Sequence, residues 1–174
     1  LMFLRILMLT AVIFGLALLW CGFMMWKRPL TVDAFFSRLA LSRAGLVEQR
    51  LTLADGSRLV YWEGGEGTPL VLLHGAGDQA GAWGRVAPEL AADFRLLVPD
   101  LPGHGGSEPG KGPIHVARVR AAVLELVEAR CDEPAILVGN SLGAWMAFLV
   151  ARDRPELVER VVAVNGGPLQ VLDP

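Results

Sequence analysis

Near its C-terminal end the 174-residue chain carries Gly139-Asn140-Ser141-Leu142-Gly143, a serine with a glycine two positions away on either side. The apolar run "AILV" precedes it and a long apolar segment follows at once. A hydroxyl at neutral pH is a poor nucleophile unless a neighbouring base takes its proton. What G-x-S-x-G between a strand and a helix supplies is geometry: a sharp turn that raises Oγ above a sheet, with glycines where a Cβ would block the bend. The free N–H groups at the start of the next helix then favour negative charge beside the serine. A second stretch, His74-Gly75-Ala76-Gly77, comes directly after "VLL". Its glycines let backbone approach a ligand, and the Ala76 N–H, with that of Leu142, would face a developing oxyanion. Each motif also has a plainer reading, a small residue at a crowded junction for Ser141 and a tight turn for residues 74–77.

A third stretch, "PDLPGHGGSE" at residues 99–108, follows "RLLV". It reads as a wall of the same site, with His104 either a base or a hydrogen-bonding partner of the loop backbone. His74, His104 and His115 are the only histidines, and none has a Cys or His neighbour at metal-ligand spacing, so neither a metal nor a cofactor is expected. Cys21 and Cys131 lie in unlike settings and read as free thiols, not a disulfide framework. A net charge of −2 without runs of one sign argues against nucleic acid as a partner.

The elements that must position these motifs follow from periodicity. "LVEQRLTL" and "RLVYWEG", joined by Ala54-Asp55-Gly56-Ser57, read as a hairpin. "PLVLL" is a continuous apolar run, as a strand buried on both faces should be, and "RLLVPD" reads as another buried strand; "PAILV" and "RVVAVN" read as further strands, the last with an unpaired apolar edge. Helical patterns lie between them: "AWGRVAPELAA", residues 113–130 from Pro113 on, and the segment from Leu142 to about Arg152. Alternating strands and helices imply an α/β architecture, a mainly parallel sheet with helices on both faces and an antiparallel edge. All three motifs then fall at C-terminal strand ends, where such sheets place their chemistry.

The first residues have a different character. From Ile6 to Trp26 there are 21 residues without a charge, about 31 Å of helix against a hydrocarbon core of about 30 Å. Arg5 precedes the segment and Lys27, Arg28 and Pro29 close it. It is too long for a secretory signal and no small-residue cleavage site follows, so a retained single-pass transmembrane anchor is expected, its membrane side open. Thr31 can cap a following helix whose apolar positions are Val32, Phe35, Phe36 and Leu39, either resting on headgroups or packed on the next domain. The expected organisation is an anchor at 1–28, a juxtamembrane amphipathic linker helix at 29–45, and an α/β domain from 46 to 174.

The order "LVLLHGAGDQAGAW", "LLVPDLPGHGGSE", "ILVGNSLGAWMA" and "VERVVAVNGG" resembles the α/β-hydrolase superfamily over about residues 46–168, most of all its ester-cleaving, membrane-anchored esterase- and lipase-like members. The resemblance implies Ser141 as nucleophile, Ala76 and Leu142 as oxyanion-hole amides, and Gly75, Gly139 and Gly143 as motif glycines, with no cofactor and a small-molecule or lipid ester as substrate. Serine at the elbow argues against the branches that carry Asp there. The family orders its triad Ser, acid, His, yet no histidine follows Ser141, and Asp153 and Asp173 do not sit where the acid belongs. With a first residue that is Leu, this leads to the expectation of an N-terminal part of a longer serine hydrolase, inactive by itself. The alternatives are a tethered non-catalytic binding module, or another chemistry of the fold: C–C hydrolase, cofactor-free haloperoxidase or acyltransferase.

Overall fold

The computed structural model describes residues 2–27, 29–109 and 114–166. They divide into two compact units, Leu1–Phe36 and Ser37–Pro174. In the first unit, helix α1 runs unbroken over Met2–Lys27, 26 residues or about 39 Å. Its described side chains, Ile6, Phe14, Leu19, Trp20 and Trp26 among them, are exposed. Among the described residues no helix is long and apolar enough to cross a membrane; the side chains of residues 2–5, Leu7, Leu9, Met24 and Met25 lie outside that set. The expected transmembrane segment is therefore present as a helix and is not established as a span.

Helix α2, Pro29–Arg43, crosses the division between the units. It begins at Pro29, whose fixed φ suits a first helical position, so Thr31 lies within the first turn and not ahead of it. Phe35 and Phe36 are exposed and meet edge to face, ring centroids 5.6 Å apart. The residue of α2 that reaches the core is Leu41, fully buried. α2 thus packs through Leu41, two residues beyond the apolar positions read from the sequence, and the side chain of Val32 lies outside the described residues.

The second unit is built on one six-stranded sheet: β1 (Val47–Thr52), β2 (Arg58–Gly64), β3 (Pro69–Leu73), β4 (Arg95–Pro99), β5 (Ala135–Asn140) and β6 (Val158–Val164). Their order is β1-β2-β4-β3-β5-β6. β1 and β2 form the antiparallel hairpin, β2 joins β4 antiparallel, and β4, β3, β5 and β6 run parallel. All five residues of β3 are buried, as both faces of the sheet are covered. Alternate residues divide between two cores: Val71, Leu73, Leu97 and Leu137 pack with Val119, Val123 and Leu126 of α4 (Val116–Arg130) and with Met146, Ala147 and Val150 of α5 (Leu142–Asp153). On the other face Leu70, Leu72, Leu96 and Val98 pack with Leu41, Trp62 and Ala87. The expected doubly covered, mainly parallel sheet is the one that forms.

One helix expected from the sequence is broken. Residues 82–92 divide into a 3-10 turn, Ala80–Trp83, and the single-turn helix α3, Ala87–Leu90. The backbone at Gly81 and Gly84 lies against Ser37 and Ala40 of α2, closer than side chains at those positions would allow. Pro113, expected to start α4, lies outside the described residues, and α4 begins at Val116 with exposed His115 as its N-cap.

Candidate active site

The sheet order fixes where a site can form. From β3 the chain goes to β4 on one side and then returns to β5 on the other, which opens a crevice at their C-terminal ends. Leu73 pairs with Gly139, and Asn140 with Val164, so the ends of β3, β5 and β6 are level. The loop after β3 therefore lies beside the turn after β5: a Cβ added at Gly75 would stand 3.2 Å from Asn140 Nδ2 and 3.6 Å from Ser141 Cβ.

Ser141 is exposed, with φ 48° and ψ −107°. A side chain at positive φ costs on the order of 1–3 kcal/mol and persists only where the surroundings impose it. Here they do. The Ser141 N–H donates to the Val164 carbonyl at 3.0 Å, and its own carbonyl accepts from the Trp145 N–H at 3.1 Å. A Cβ at Gly139 would overlap the backbone of Gly143 and Ala144, and one at Gly143 would overlap the Leu73 carbonyl at the end of β3. The two glycines let strand, turn and helix close on one another with the serine at the bend.

Leu142 is the first residue of α5, and Ala76 is exposed in the loop after β3. Neither N–H has a hydrogen-bond partner among the described residues. His74 is fully buried: the Leu101 N–H donates to its Nε2 at 2.9 Å, so Nδ1 carries the proton and donates to the Gly75 carbonyl at 2.8 Å. Burial lowers its pKa below the usual 6.5, which keeps the ring neutral. His104 is engaged as a link, not a base: its Nε2 accepts from the Gly77 N–H and its Nδ1 lies 3.1 Å from the Pro102 carbonyl. Its ring meets that of His74 edge to face at 5.1 Å. Asp153 is held by Arg120 at 2.7 Å and Arg152 at 2.8 Å, and Asp173 lies outside the described residues. Burial pushes the Cys131 thiol up to about 11, away from any nucleophilic role. A cavity of about 190 Å³ adjoins the turn, lined by His74, Ala82, Trp83, Asn140, Val164 and Asn165.

Asp100 is the residue that sequence reasoning passed over. It is 1% exposed, and three groups donate to its carboxylate: the Ala80 N–H at 2.8 Å, the Gly106 N–H at 2.8 Å and Arg38 Nη2 at 2.9 Å. The signal was a carboxylate directly after four buried residues of a strand, where a charge is costly without partners.

A buried parallel sheet with an exposed serine on a strained strand-to-helix turn defines an α/β protein of hydrolase type. The α/β-hydrolase fold family model matches residues 68–174, and the chain belongs to that family. It is similar to a pimeloyl-[acyl-carrier protein] methyl ester esterase of Pectobacterium carotovorum subsp. carotovorum, 40% identical over 111 residues that cover 63% of this chain and 42% of the esterase. It is also similar to a soluble epoxide hydrolase of Corynebacterium sp., 36% identical over 113 residues, 65% of this chain and 40% of that one. Among solved structures, a membrane phospholipase A superposes with a TM-score of 0.68 at 29% identity, covering 88% of this chain and 51% of that chain. The chain spans less than half the length of the curated relatives it matches.

Proposed function

We propose that this chain forms the nucleophile-bearing part of a membrane-anchored serine hydrolase that cleaves carboxylic esters through an acyl-enzyme. The observation that carries the reading is Ser141 itself, an exposed hydroxyl at φ 48° on the turn that the Gly75 loop approaches, while the Ala76 and Leu142 amides have no partner among the described residues. In the first step Ser141 Oγ bonds to the ester carbonyl carbon, the Oγ proton passes to a base, and the carbonyl oxygen becomes an oxyanion between the two N–H groups. The intermediate then collapses: the bond to the alcohol breaks, and the alcohol leaves with the proton from the base. Water, deprotonated by the same base, releases the acid and frees Ser141. One oxyanion donor of this kind contributes about 2.7–4 kcal/mol to the transition state.

The reading needs a histidine and a carboxylate from outside residues 1–174. His74 and His104 are each bound to loop backbone, and no histidine follows Ser141. An ester is favoured over an epoxide because the turn carries Ser, and the esterase relative cleaves a methyl ester by its name. The membrane seat is supported by the unbroken 26-residue α1, uncharged from Ile6 to Trp26, and by the likeness to a membrane phospholipase A. These point to acyl chains presented at a bilayer as substrate. Turnover of p-nitrophenyl esters by the protein expressed from its complete reading frame tests the proposal. It should show an initial burst of one nitrophenol per Ser141, abolished by Ser141→Ala; equal rates for wild type and Ser141→Ala would refute it. A second reading is a tethered module that binds without catalysis, and an inert complete protein that still binds esters would establish that instead.

A further inference from the structure

We infer that residues 37–43 of α2 are a positioning element for the candidate active site, with Arg38 acting through Asp100 on the loop after β3, which lies beside Ser141, and on the loop after β4, which holds the β3 loop. Two independent contacts lead there. The first is the buried Asp100 carboxylate: its Oδ1 accepts from the Ala80 N–H, four residues after Ala76, and its Oδ2 accepts from the Gly106 N–H in the loop after β4. Among the described residues Arg38 supplies the one cation bound to this carboxylate, and its other nitrogen, Nη1, reaches Glu48 of β1 at 3.3 Å. A buried carboxylate without its cation is costly, so removing Arg38 forces Asp100 to rearrange or take up water, and the Ala80 and Gly106 amides go with it.

The second contact is steric. The 3-10 turn Ala80–Trp83 lies flush on α2: a Cβ at Gly81 would overlap Ser37 Cβ, and one at Gly84 would come within 2.9 Å of Ala40 Cβ. The helix thus sets the depth of the segment that continues the Ala76 loop, and Arg38 sets its hydrogen bonding. The Ala76 N–H has no partner among the described residues, so its orientation depends on the segment that follows it, fixed by the Gly77 N–H to His104 and the Ala80 N–H to Asp100. His104 belongs to the loop that Gly106 pins to the same carboxylate. Arg38 touches no reacting atom in this account; it holds the frame in which an oxyanion donor points.

The test uses the complete protein with Arg38→Ala, Arg38→Lys and, as a control, Glu48→Gln, which removes only the half-exposed arm of the Arg38 fork. Amide hydrogen exchange of peptides covering residues 76–84 and 100–109 should quicken on the order of tenfold in Arg38→Ala, the loss expected for one charge-assisted bond, while β3 and β5 exchange as in wild type. Arg38→Lys should restore most of the protection, and Glu48→Gln should leave it intact. The rate of fluorophosphonate capture at Ser141 should fall by a similar factor in Arg38→Ala, with kcat for an ester falling and KM nearly unchanged. Loop exchange equal to wild type, or loosening spread evenly over the whole sheet, would overturn the inference, as would capture at the wild-type rate despite loosened loops. The capture readout rests on the proposed chemistry at Ser141, whereas the exchange readout does not. A wild-type protein that is never captured would therefore refute the nucleophile and leave Arg38 to be judged by exchange alone.

Discussion

At the scale of single residues the site depends on groups held in one protonation state or one conformation. His74 is the clearest case, with its ring between the Leu101 N–H and the Gly75 carbonyl and no exposure to solvent. Burial lowers its folded pKa below the ordinary 6.5, so between those two values the unfolded chain binds a proton that the folded one does not. Stability contributed by neutral His74 is therefore complete above pH 6.5 and is lost as pH falls through that window. Thermal unfolding followed from pH 7.5 to 5 should show the midpoint falling below pH 6.5, and His74→Asn should remove that step while lowering the midpoint at pH 7.5. A profile of the same shape in both proteins would show that another group is responsible. Sequence alone offered His104 as a rival base; what it could not supply is that both nitrogens of that ring are occupied by backbone from its own loop and the next.

At the scale of elements, the decisive contact is between α5 and the end of β3. Gly143 sits where any side chain would overlap the Leu73 carbonyl, so α5 approaches the sheet only through that glycine. Gly143→Ala should cost about 1–3 kcal/mol by overpacking, read in urea unfolding, and should turn the Ser141 bend enough to slow its capture by an electrophile. Unchanged stability and reactivity would mean that the turn does not depend on this approach. The strands and the helices α4 and α5 were legible because their apolar periods are local, even in β6, which holds no buried residue. The broken helix at residues 80–90 was not, because its cause is the distant α2 lying on Gly81 and Gly84. Nor was the burial of Leu41, which lies outside the apolar stripe Val32, Phe35, Phe36 and Leu39 that the sequence offered. Asp100 shows the same limit at the site: its type and place marked it as constrained, but its partners, Arg38 and the amides of Ala80 and Gly106, lie on three other segments.

At the scale of the molecule, the proposal joins two properties, a seat at the bilayer and a reactive serine. The proposed seat would rest on α1, an unbroken helix of 26 residues, although among the described residues no helix is long and apolar enough to cross a membrane. The protein should stay with membranes through alkaline carbonate and high salt, and deletion of residues 2–27 should release it; release of the intact protein by carbonate would reduce α1 to a surface contact. The family and the parallel sheet were readable from the order of the motifs, because those motifs recur at strand ends in one sequence of elements. The ester specificity was not, since the relatives include both an esterase and an epoxide hydrolase and the elbow alone sets only the nucleophile. The most direct measurement is therefore at that nucleophile. The complete protein is treated with a fluorophosphonate, digested, and the modified residue is located by mass spectrometry. The account predicts a single phosphonyl adduct on Ser141, lost on heat denaturation before labelling; a native protein that takes up no adduct, or takes it up elsewhere, would contradict it.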